Sequence, residues 1–214
     1  MSTDAQKQAA AQAAAQLVES GMRVGLGTGS TVAFLLPALA ARGLTGLRCV
    51  ATSIETAKVA TALGLPVESF DALDELDIAI DGADQVAPDG WIVKGGGGAH
   101  TREKLVAATA DRFVLIVDEH KLVDRLHPKV PLELHAFGLR STLRRLGHVE
   151  IRSGWGPSPD DGVICDYTAA FDEPAALAVL LAATPGVVDH GLFEPALTHD
   201  VLIARADGVE HRTF

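Results

Sequence analysis

The sequence predicts an α/β protein in which a doubly wound, mainly parallel, Rossmann-like sheet is joined to a smaller α+β, ferredoxin-like domain. Two observations predict this architecture. Up to Asp118, short apolar runs of strand character alternate with segments of helical character, the order that builds a parallel sheet covered on both faces. After His127 the order becomes strand, helix, strand, strand, helix, strand, which is typical of a split βαβ unit.

The alternating part begins with an Ala- and Gln-rich segment over residues 4–19, which predicts a helix ended by Gly21. Strands are predicted at Met22–Leu26, Leu47–Ala51, Leu65–Glu68, Asp77–Asp81, Trp91–Val93 and Arg112–Asp118. Helices are predicted after Ser30, from Thr52 to Gly64, and over residues 101–110. Ser30 is a candidate N-cap, and Pro37 should either kink its helix or lie in the first turns.

The second part gives the bounds of the smaller domain. Strands are predicted at Leu132–Leu134, Val149–Arg152, Val163–Asp166 and Gly186–Val188, and helices at Gly138–Leu146 and Pro174–Ala183. Val201–Arg205 then has the character of a strand of the first domain. We therefore expect a large domain of residues 1–126 plus 200–214, and a small split-βαβ domain of residues 127–199.

Composition narrows the classes of function. The chain has 214 residues, 48% hydrophobic and 21% charged, as expected of a soluble globular protein. A net charge of −10 argues against a nucleic-acid surface. No basic segment followed by an apolar one opens the chain, and the longest apolar run, residues 32–41, is too short to span a bilayer. A cytoplasmic protein without membrane contact is expected. Cys49 and Cys165 are predicted to be buried thiols, and no Cys/His spacing indicates zinc.

Four consecutive glycines, Gly95 to Gly98, follow a predicted strand and precede a predicted helix. Ordering such a run is costly, so globular chains keep it where backbone passes close to another group or needs positive φ. Lys94 and Glu103 flank it. We expect a substrate-facing loop at a helix N-terminus, with a flexible linker as the alternative.

Gly25-Leu-Gly-Thr-Gly-Ser-Thr31 has the strand, glycine loop and helix order of a phosphate cradle. The hydroxyls of Thr28, Ser30 and Thr31 could donate to phosphate oxygens. The segment is neither a dinucleotide fingerprint, since the third glycine falls at Ser30, nor a P-loop, since no Gly-Lys-Ser/Thr follows. A tight turn with an N-cap is the alternative.

Asp81-Gly-Ala-Asp84 follows another strand, so a doubly wound sheet would bring it to the same edge as the cradle and Lys94. An Asx-turn pair is the alternative. Glu103, in the first turn of a helix, is the candidate base, although it could simply complement the helix dipole. Lys121 is either a second phosphate or hydroxyl contact or an ordinary surface lysine.

Taken together, these segments resemble ribose-5-phosphate isomerases of the A type. The matching motifs are Gly27-Thr-Gly-Ser-Thr31, Asp81-Gly-Ala-Asp84, Lys94-Gly-Gly-Gly-Gly-Ala, Thr101-Arg-Glu-Lys104, Lys121-Leu-Val, Pro185-Gly-Val-Val188 and Gly191-Leu-Phe193. The chain departs from the family pattern at His127–Pro131 and at Pro159–Val163, both in the small domain.

The resemblance implies a metal-free, cofactor-free aldose–ketose isomerase of the non-oxidative pentose phosphate pathway that forms a homodimer or homotetramer. By motif, Glu103 would be the base that works through a cis-enediolate, while Asp81, Asp84 and Lys94 would handle the hydroxyls, ring opening and the developing oxyanion. The remaining implied substrate contacts are Thr28, Gly29, Ser30, Thr31, Gly82, Ala83, Gly95, Gly96, Gly97 and Lys121.

Two other functions are compatible with parts of this pattern. A sugar-phosphate sensor without catalysis would keep the cradle but need a DNA-binding module, and no helix-turn-helix fits before Met22. A coenzyme A transferase-like enzyme would use Glu103 as a nucleophile instead of a base. Thioester formation would distinguish it from an isomerase.

Overall fold

The computed structural model describes residues 3–214, which contain six α-helices and three β-sheets. The helices are α1 Thr3–Ala15, α2 Val32–Ala40, α3 Ile54–Ala62, α4 His100–Thr109, α5 Leu139–Leu146 and α6 Pro174–Ala183. The strands are β1 Arg23–Leu26, β2 Arg48–Ala51, β3 Ile78–Asp81, β4 Gln85–Val86, β5 Ile92–Val93, β6 Phe113–Asp118, β7 Val130–Leu134, β8 Val149–Ile151, β9 Val163–Tyr167, β10 Val187–His190, β11 Leu192–Phe193, β12 Asp200–Arg205 and β13 Gly208–Thr213.

The large sheet has the strand order β13-β12-β6-β3-β1-β2 and is parallel except for the β12–β13 hairpin. Its middle strands are apolar and buried; all six residues of β6 are buried. The strand order reverses at β1, which lies between β2 and β3, so the loops after β1 and β3 leave the sheet side by side. Ligands of such sheets bind at this reversal. The prediction of a mainly parallel α/β sheet is confirmed.

Two apolar clusters cover the two faces of the large sheet. Small and branched side chains of α1 and α2, such as Ala10 and Leu35, pack on one face. Val106 of α4 and Phe113 of β6 belong to the cluster on the other. The alanine-rich helix α1 packs on the first of these faces, and its residue Lys7 lines a depression at the carboxyl edge of the sheet.

The small sheet has the strand order β10-β7-β9-β8, and every pair in it is antiparallel. Leu146 of α5 and Leu177 and Leu181 of α6 pack against Leu132 and Cys165 of the sheet. This arrangement matches the predicted split βαβ unit, and the separate antiparallel sheet confirms the predicted fold class.

Two local predictions were wrong. Leu65–Glu68 is not a strand, because only Val67 forms a bridge, to Cys49. Thr31, not Ser30, is the N-cap of α2, and its side chain makes no capping hydrogen bond. For Pro37 the sequence left open a kink or a position in the first turns, and Pro37 lies inside α2.

Three strands were not predicted from the sequence. β13 is a half-exposed edge strand of mostly polar residues, so it lacks an apolar alternation. β4 and β11 are each only two residues long.

A short third sheet, of order β11-β5-β4, connects the large sheet to the small one. Gly191 lies directly before β11: its N–H donates to Pro131 O at 2.7 Å, and its carbonyl accepts from Lys94 N at 2.9 Å. A Cβ atom on Gly191 would lie 2.2 Å from the Lys94 carbonyl oxygen and 2.8 Å from Pro131 Cδ. Only glycine allows this backbone approach, and the approach determines where Lys94 leaves β5.

Gly191→Ala should therefore destabilise the protein by about 1–3 kcal/mol, the range for overpacking at a closely packed position. The free energy of unfolding from urea titration measures the effect. Gly156→Ala is the matched control, because a Cβ there meets nothing within 4 Å and its φ is not positive. Equal stability of the two variants would contradict the close approach at Gly191.

Candidate active site

One cleft collects the residues that the sequence singled out, at the carboxyl edge of the large sheet. It has a volume of about 100 Å³. The lining residues are Thr28, Gly29, Ser30, Thr31, Gly82, Ala83, Asp84, Lys94, Gly95, Gly96, Gly97, Glu103 and Lys121. Asp81 is the one predicted site residue outside this lining; it lies buried beneath the loops, 2% exposed.

Asp81 connects the loop after β1 to the loop after β3. Its Oδ1 accepts hydrogen bonds from Thr28 N at 3.0 Å and Gly82 N at 2.7 Å. Gly27 lies directly against it, and a Cβ on Gly27 would be 2.0 Å from the carboxyl carbon of Asp81. The glycine at this position is therefore required by contact with Asp81, which the sequence alone does not indicate.

The loop before α2 offers unused hydrogen-bond donors. Within residues 3–214, the N–H groups of Gly29, Ser30 and Thr31 donate to no protein acceptor, and the Ser30 hydroxyl has no partner. Thr28 differs, since its hydroxyl is 2.7 Å from the hydroxyl of Thr52. Free amides at a helix N-terminus, with the positive end of the dipole behind them, favour an anion.

Two lysines lie beside these amides. Lys121, in the turn after β6, lines the cleft, and no described residue between 3 and 214 forms an ion pair with it. Lys7 of α1 lines an adjoining depression together with Ser30 and Lys121. Sequence reasoning missed Lys7, because it lies in an Ala/Gln-rich helix with no motif; only the packing of α1 on the sheet brings it here.

The floor of the cleft is a buried ammonium group between two carboxylates. Lys94 Nζ is 2.9 Å from Asp81 Oδ2 and 3.3 Å from Glu103 Oε2, and it donates to Gly82 O at 2.5 Å. Lys94 is 2% exposed and Glu103 is 4% exposed. One positive charge thus faces two acidic groups out of contact with water, where electrostatic interactions are strong.

Burial raises the pKa of Glu103 from 4.5 to about 8; the Lys94 charge opposes this rise, and the Asp81 charge adds to it. Burial likewise raises the pKa of Asp81, against the effect of Lys94. The two carboxylates together raise the pKa of Lys94, although burial alone would lower it. Glu103 is therefore a carboxyl group that exchanges its proton near neutral pH, as a general base requires.

The glycine run and Asp84 form the outer wall. Gly96 N donates to Asp84 Oδ2 at 2.7 Å, and Gly98 N donates to Gly95 O at 2.9 Å. Gly95 has φ +101°, and a Cβ on it would lie 2.7 Å from the His100 ring. The run is thus an ordered turn against α4, not a linker.

His100 itself is fully buried behind the run and does not line the cleft. Its burial lowers its pKa to about 3, which keeps the ring neutral. The second residue that sequence reasoning missed is Arg152, from the segment after β8, which donates to the carbonyls of Gly95 and Gly96.

A sequence model of the family Ribose 5-phosphate isomerase A (phosphoriboisomerase A) matches residues 48–208. The chain belongs to this family. A ribose-5-phosphate isomerase A of Caulobacter vibrioides is 41% identical over 223 residues, covering 98% of this chain and 98% of the relative. The predicted family resemblance is thereby confirmed.

Solved ribose 5-phosphate isomerases share the fold over the whole chain. The ribose 5-phosphate isomerase A of Methanocaldococcus jannaschii superposes with a TM-score of 0.93 at 33% identity and covers 100% of both chains. A D-ribose-5-phosphate isomerase in complex with phospho-erythronic acid gives a TM-score of 0.93 at 32% identity, again covering 100% of both chains. Within residues 3–214, no helix is long and apolar enough to cross a membrane.

The raised pKa of Glu103 gives this isomerase a pH-dependent stability. Between pH 4.5 and about 8 the Glu103 carboxyl group keeps its proton in the folded state but has lost it in the unfolded state. Ionisation in the unfolded state therefore lowers the free energy of unfolding as pH rises. Glu103→Gln removes that loss. Relative to wild type, its free energy of unfolding should increase with pH over this range, by up to about 1.4 kcal/mol per pH unit.

Urea titrations at pH 5, 6, 7 and 8 measure the difference. Glu19→Gln, which replaces an exposed carboxyl group, is the matched control and should show a constant offset from wild type. A constant offset for Glu103→Gln as well would contradict a raised pKa at this position.

Proposed function

We propose that this protein interconverts D-ribose 5-phosphate and D-ribulose 5-phosphate, with Glu103 as the base and a cis-enediolate as the intermediate. The observation that carries the proposal is the juxtaposition of a buried Glu103–Lys94 pair with the free amides at the start of α2, in a chain of this family. One end of the cleft suits an anion, and the other suits proton transfer next to a carbonyl.

Glu103 would remove the proton from carbon 2 of the opened aldose and return it to carbon 1. Meanwhile the hydroxyl proton of O2 passes to O1, so the aldehyde becomes a hydroxyl and O2 becomes the ketone oxygen. The reverse reaction follows the same path. A carbon next to a carbonyl is weakly acidic, so the developing enediolate oxygen needs a positive group beside it. The Lys94 ammonium and the glycine amides are groups of the right kind.

Asp81 and Asp84 would then have different roles. Asp81 is buried, with Oδ1 accepting from Thr28 N and Gly82 N and Oδ2 at Lys94. Its oxygens are occupied, so it would act by orienting Lys94 and both loops. Asp84 lines the cleft and is anchored by Gly96 N, which leaves it able to contact sugar hydroxyls and to assist ring opening.

The substrate phosphate would occupy the amides of Gly29 to Thr31, with Lys121 and Lys7 supplying positive charge. Binding energy at the phosphate, remote from carbons 1 and 2, would hold the reacting end against Glu103. Assembly as a homodimer or homotetramer, a cytoplasmic location, and the bounds of the two domains remain predictions. The sensor and coenzyme A transferase alternatives gain no support, because the similar proteins are isomerases.

Glu103→Gln should lower kcat by ~10²–10⁴-fold, the usual contribution of a positioned general base. The amide keeps the size of the side chain but cannot accept the proton. A coupled assay of ribulose 5-phosphate formation from ribose 5-phosphate measures the loss, with Glu19→Gln as control. An active wild type together with near-normal turnover in Glu103→Gln would remove Glu103 from this role, whereas an inactive wild type would overturn the function itself.

Lys121→Met should raise KM for ribose 5-phosphate by ~10-fold or more, because a charge-assisted contact to phosphate contributes about 1.5–3 kcal/mol. Inhibition by inorganic phosphate should weaken in parallel. Lys58→Met, at an exposed position on α3, is the control. Unchanged KM and unchanged phosphate inhibition in Lys121→Met would place the phosphate elsewhere.

A further inference from the structure

Arg152 reaches from the small sheet into the back of the glycine run. Its Nη1 donates to the carbonyls of Gly95 and Gly96, each at 3.0 Å. Its Nε and Nη2 donate to the two carboxylate oxygens of Asp166, at 2.9 and 2.7 Å. The guanidinium carbon lies 4.9 Å from the centre of the Trp155 ring. Carboxylate, ring and carbonyls together hold the guanidinium plane in one orientation.

The two carbonyls belong to peptide units whose N–H groups face the opposite way. In a trans peptide the C=O and the N–H point in opposite directions. The unit that carries Gly95 O also carries Gly96 N, which donates to Asp84 at 2.7 Å. The unit that carries Gly96 O also carries Gly97 N, and Gly97 lines the cleft. Within residues 3–214, Gly97 N has no acceptor.

A run of four glycines has little intrinsic preference for one set of peptide orientations. Gly96 and Gly97 are both exposed, so packing against them does not supply the missing restraint. The two hydrogen bonds from Arg152, which is itself held by Asp166, supply this restraint. The side chains of Arg152 and Asp166 are each 12% exposed, so water competes little for the ion pair that anchors the guanidinium group.

We propose that Arg152 is a positioning residue for the isomerisation. By holding the carbonyls of Gly95 and Gly96, it orients Asp84 through Gly96 N and directs Gly97 N at the developing enediolate oxygen. Arg152 does not touch the substrate. This inference rests on the proposed isomerase function, and it assigns to the small sheet a part in the chemistry.

The expected signature is a loss of kcat, not of phosphate binding. Arg152→Ala should lower kcat by at least ~10-fold, since misplacing one oxyanion donor and one sugar contact has effects of that size or larger. The affinity for phospho-erythronic acid, the ligand of a solved relative, should fall as well. Inhibition by inorganic phosphate should stay within twofold of wild type, because the amides of Gly29 to Thr31 lie on a different loop.

Arg48→Ala is the matched control. Arg48 also makes a two-pronged contact with a carboxylate, Glu68, at 2.8 and 2.8 Å, and also donates to a backbone carbonyl, Ala72 O, at 3.1 Å. It lies at the amino end of β2, away from the cleft. Arg48→Ala should keep kcat within twofold of wild type. This control separates the general effect of losing an arginine–carboxylate contact from the specific effect of losing Arg152.

Arg152→Lys is the second variant, and it decides the matter if Arg152→Ala does not fold. Lysine keeps the positive charge but cannot donate to Asp166 and to both carbonyls in the geometry of a guanidinium group. The kcat of Arg152→Lys should therefore also fall, while inhibition by inorganic phosphate is retained. Wild-type kcat in either folded variant would overturn the proposal, as would a parallel loss of phosphate inhibition. An inactive wild type would overturn the isomerase function and this inference together, whereas an active wild type with an equally active Arg152→Ala overturns this inference alone.

Discussion

The structure of the site depends on one buried ammonium group. Lys94 lies between Asp81 and Glu103 with almost no exposure, and removing such charges from water is unfavourable unless they are paired. Two carboxyl groups share one cation, so the second of them loses its proton only at a raised pH. Burial is the main cause of the raised pKa of Glu103, about 8; the Lys94 charge opposes the rise, and the Asp81 charge adds to it.

The backbone around this group is arranged to bring the charges together. Gly27 and Gly191 each lie where a single methyl group would collide, with the carboxyl group of Asp81 and with the carbonyl of Lys94. The reversal of strand order at β1 puts the loops after β1 and β3 side by side, and the short sheet β11-β5-β4 brings Lys94 to the same place. These close approaches bring a buried ammonium group and its two carboxyl groups to the edge of a cleft lined by free backbone amides.

The small sheet is tied to the site by charged contacts as well as by packing. Lys104 of α4 lies 2.5 Å from Asp189 of β10, and Arg152 connects β9, through Asp166, to the glycine run. The helix that carries Glu103 and the loop that carries the free amide are therefore both restrained from the second sheet. Movement of the small sheet would change the positions of Glu103 and of the glycine amides together.

The sequence by itself determined the fold class, the order of most helices and strands, and the loops that meet in the cleft, because strand and helix periodicity and glycine-rich motifs are local signals. It missed β13, whose polar edge residues carry no apolar alternation, and it placed the cap of α2 one residue early. Only the tertiary structure decided that Asp81 lies beneath the cleft and that the pKa of Glu103 is raised. It also decided that Lys7 lines the depression next to the cleft and that Arg152 contacts the glycine run. These properties come from burial and from contacts between segments far apart in the chain, and neither is encoded in the spacing of neighbouring residues.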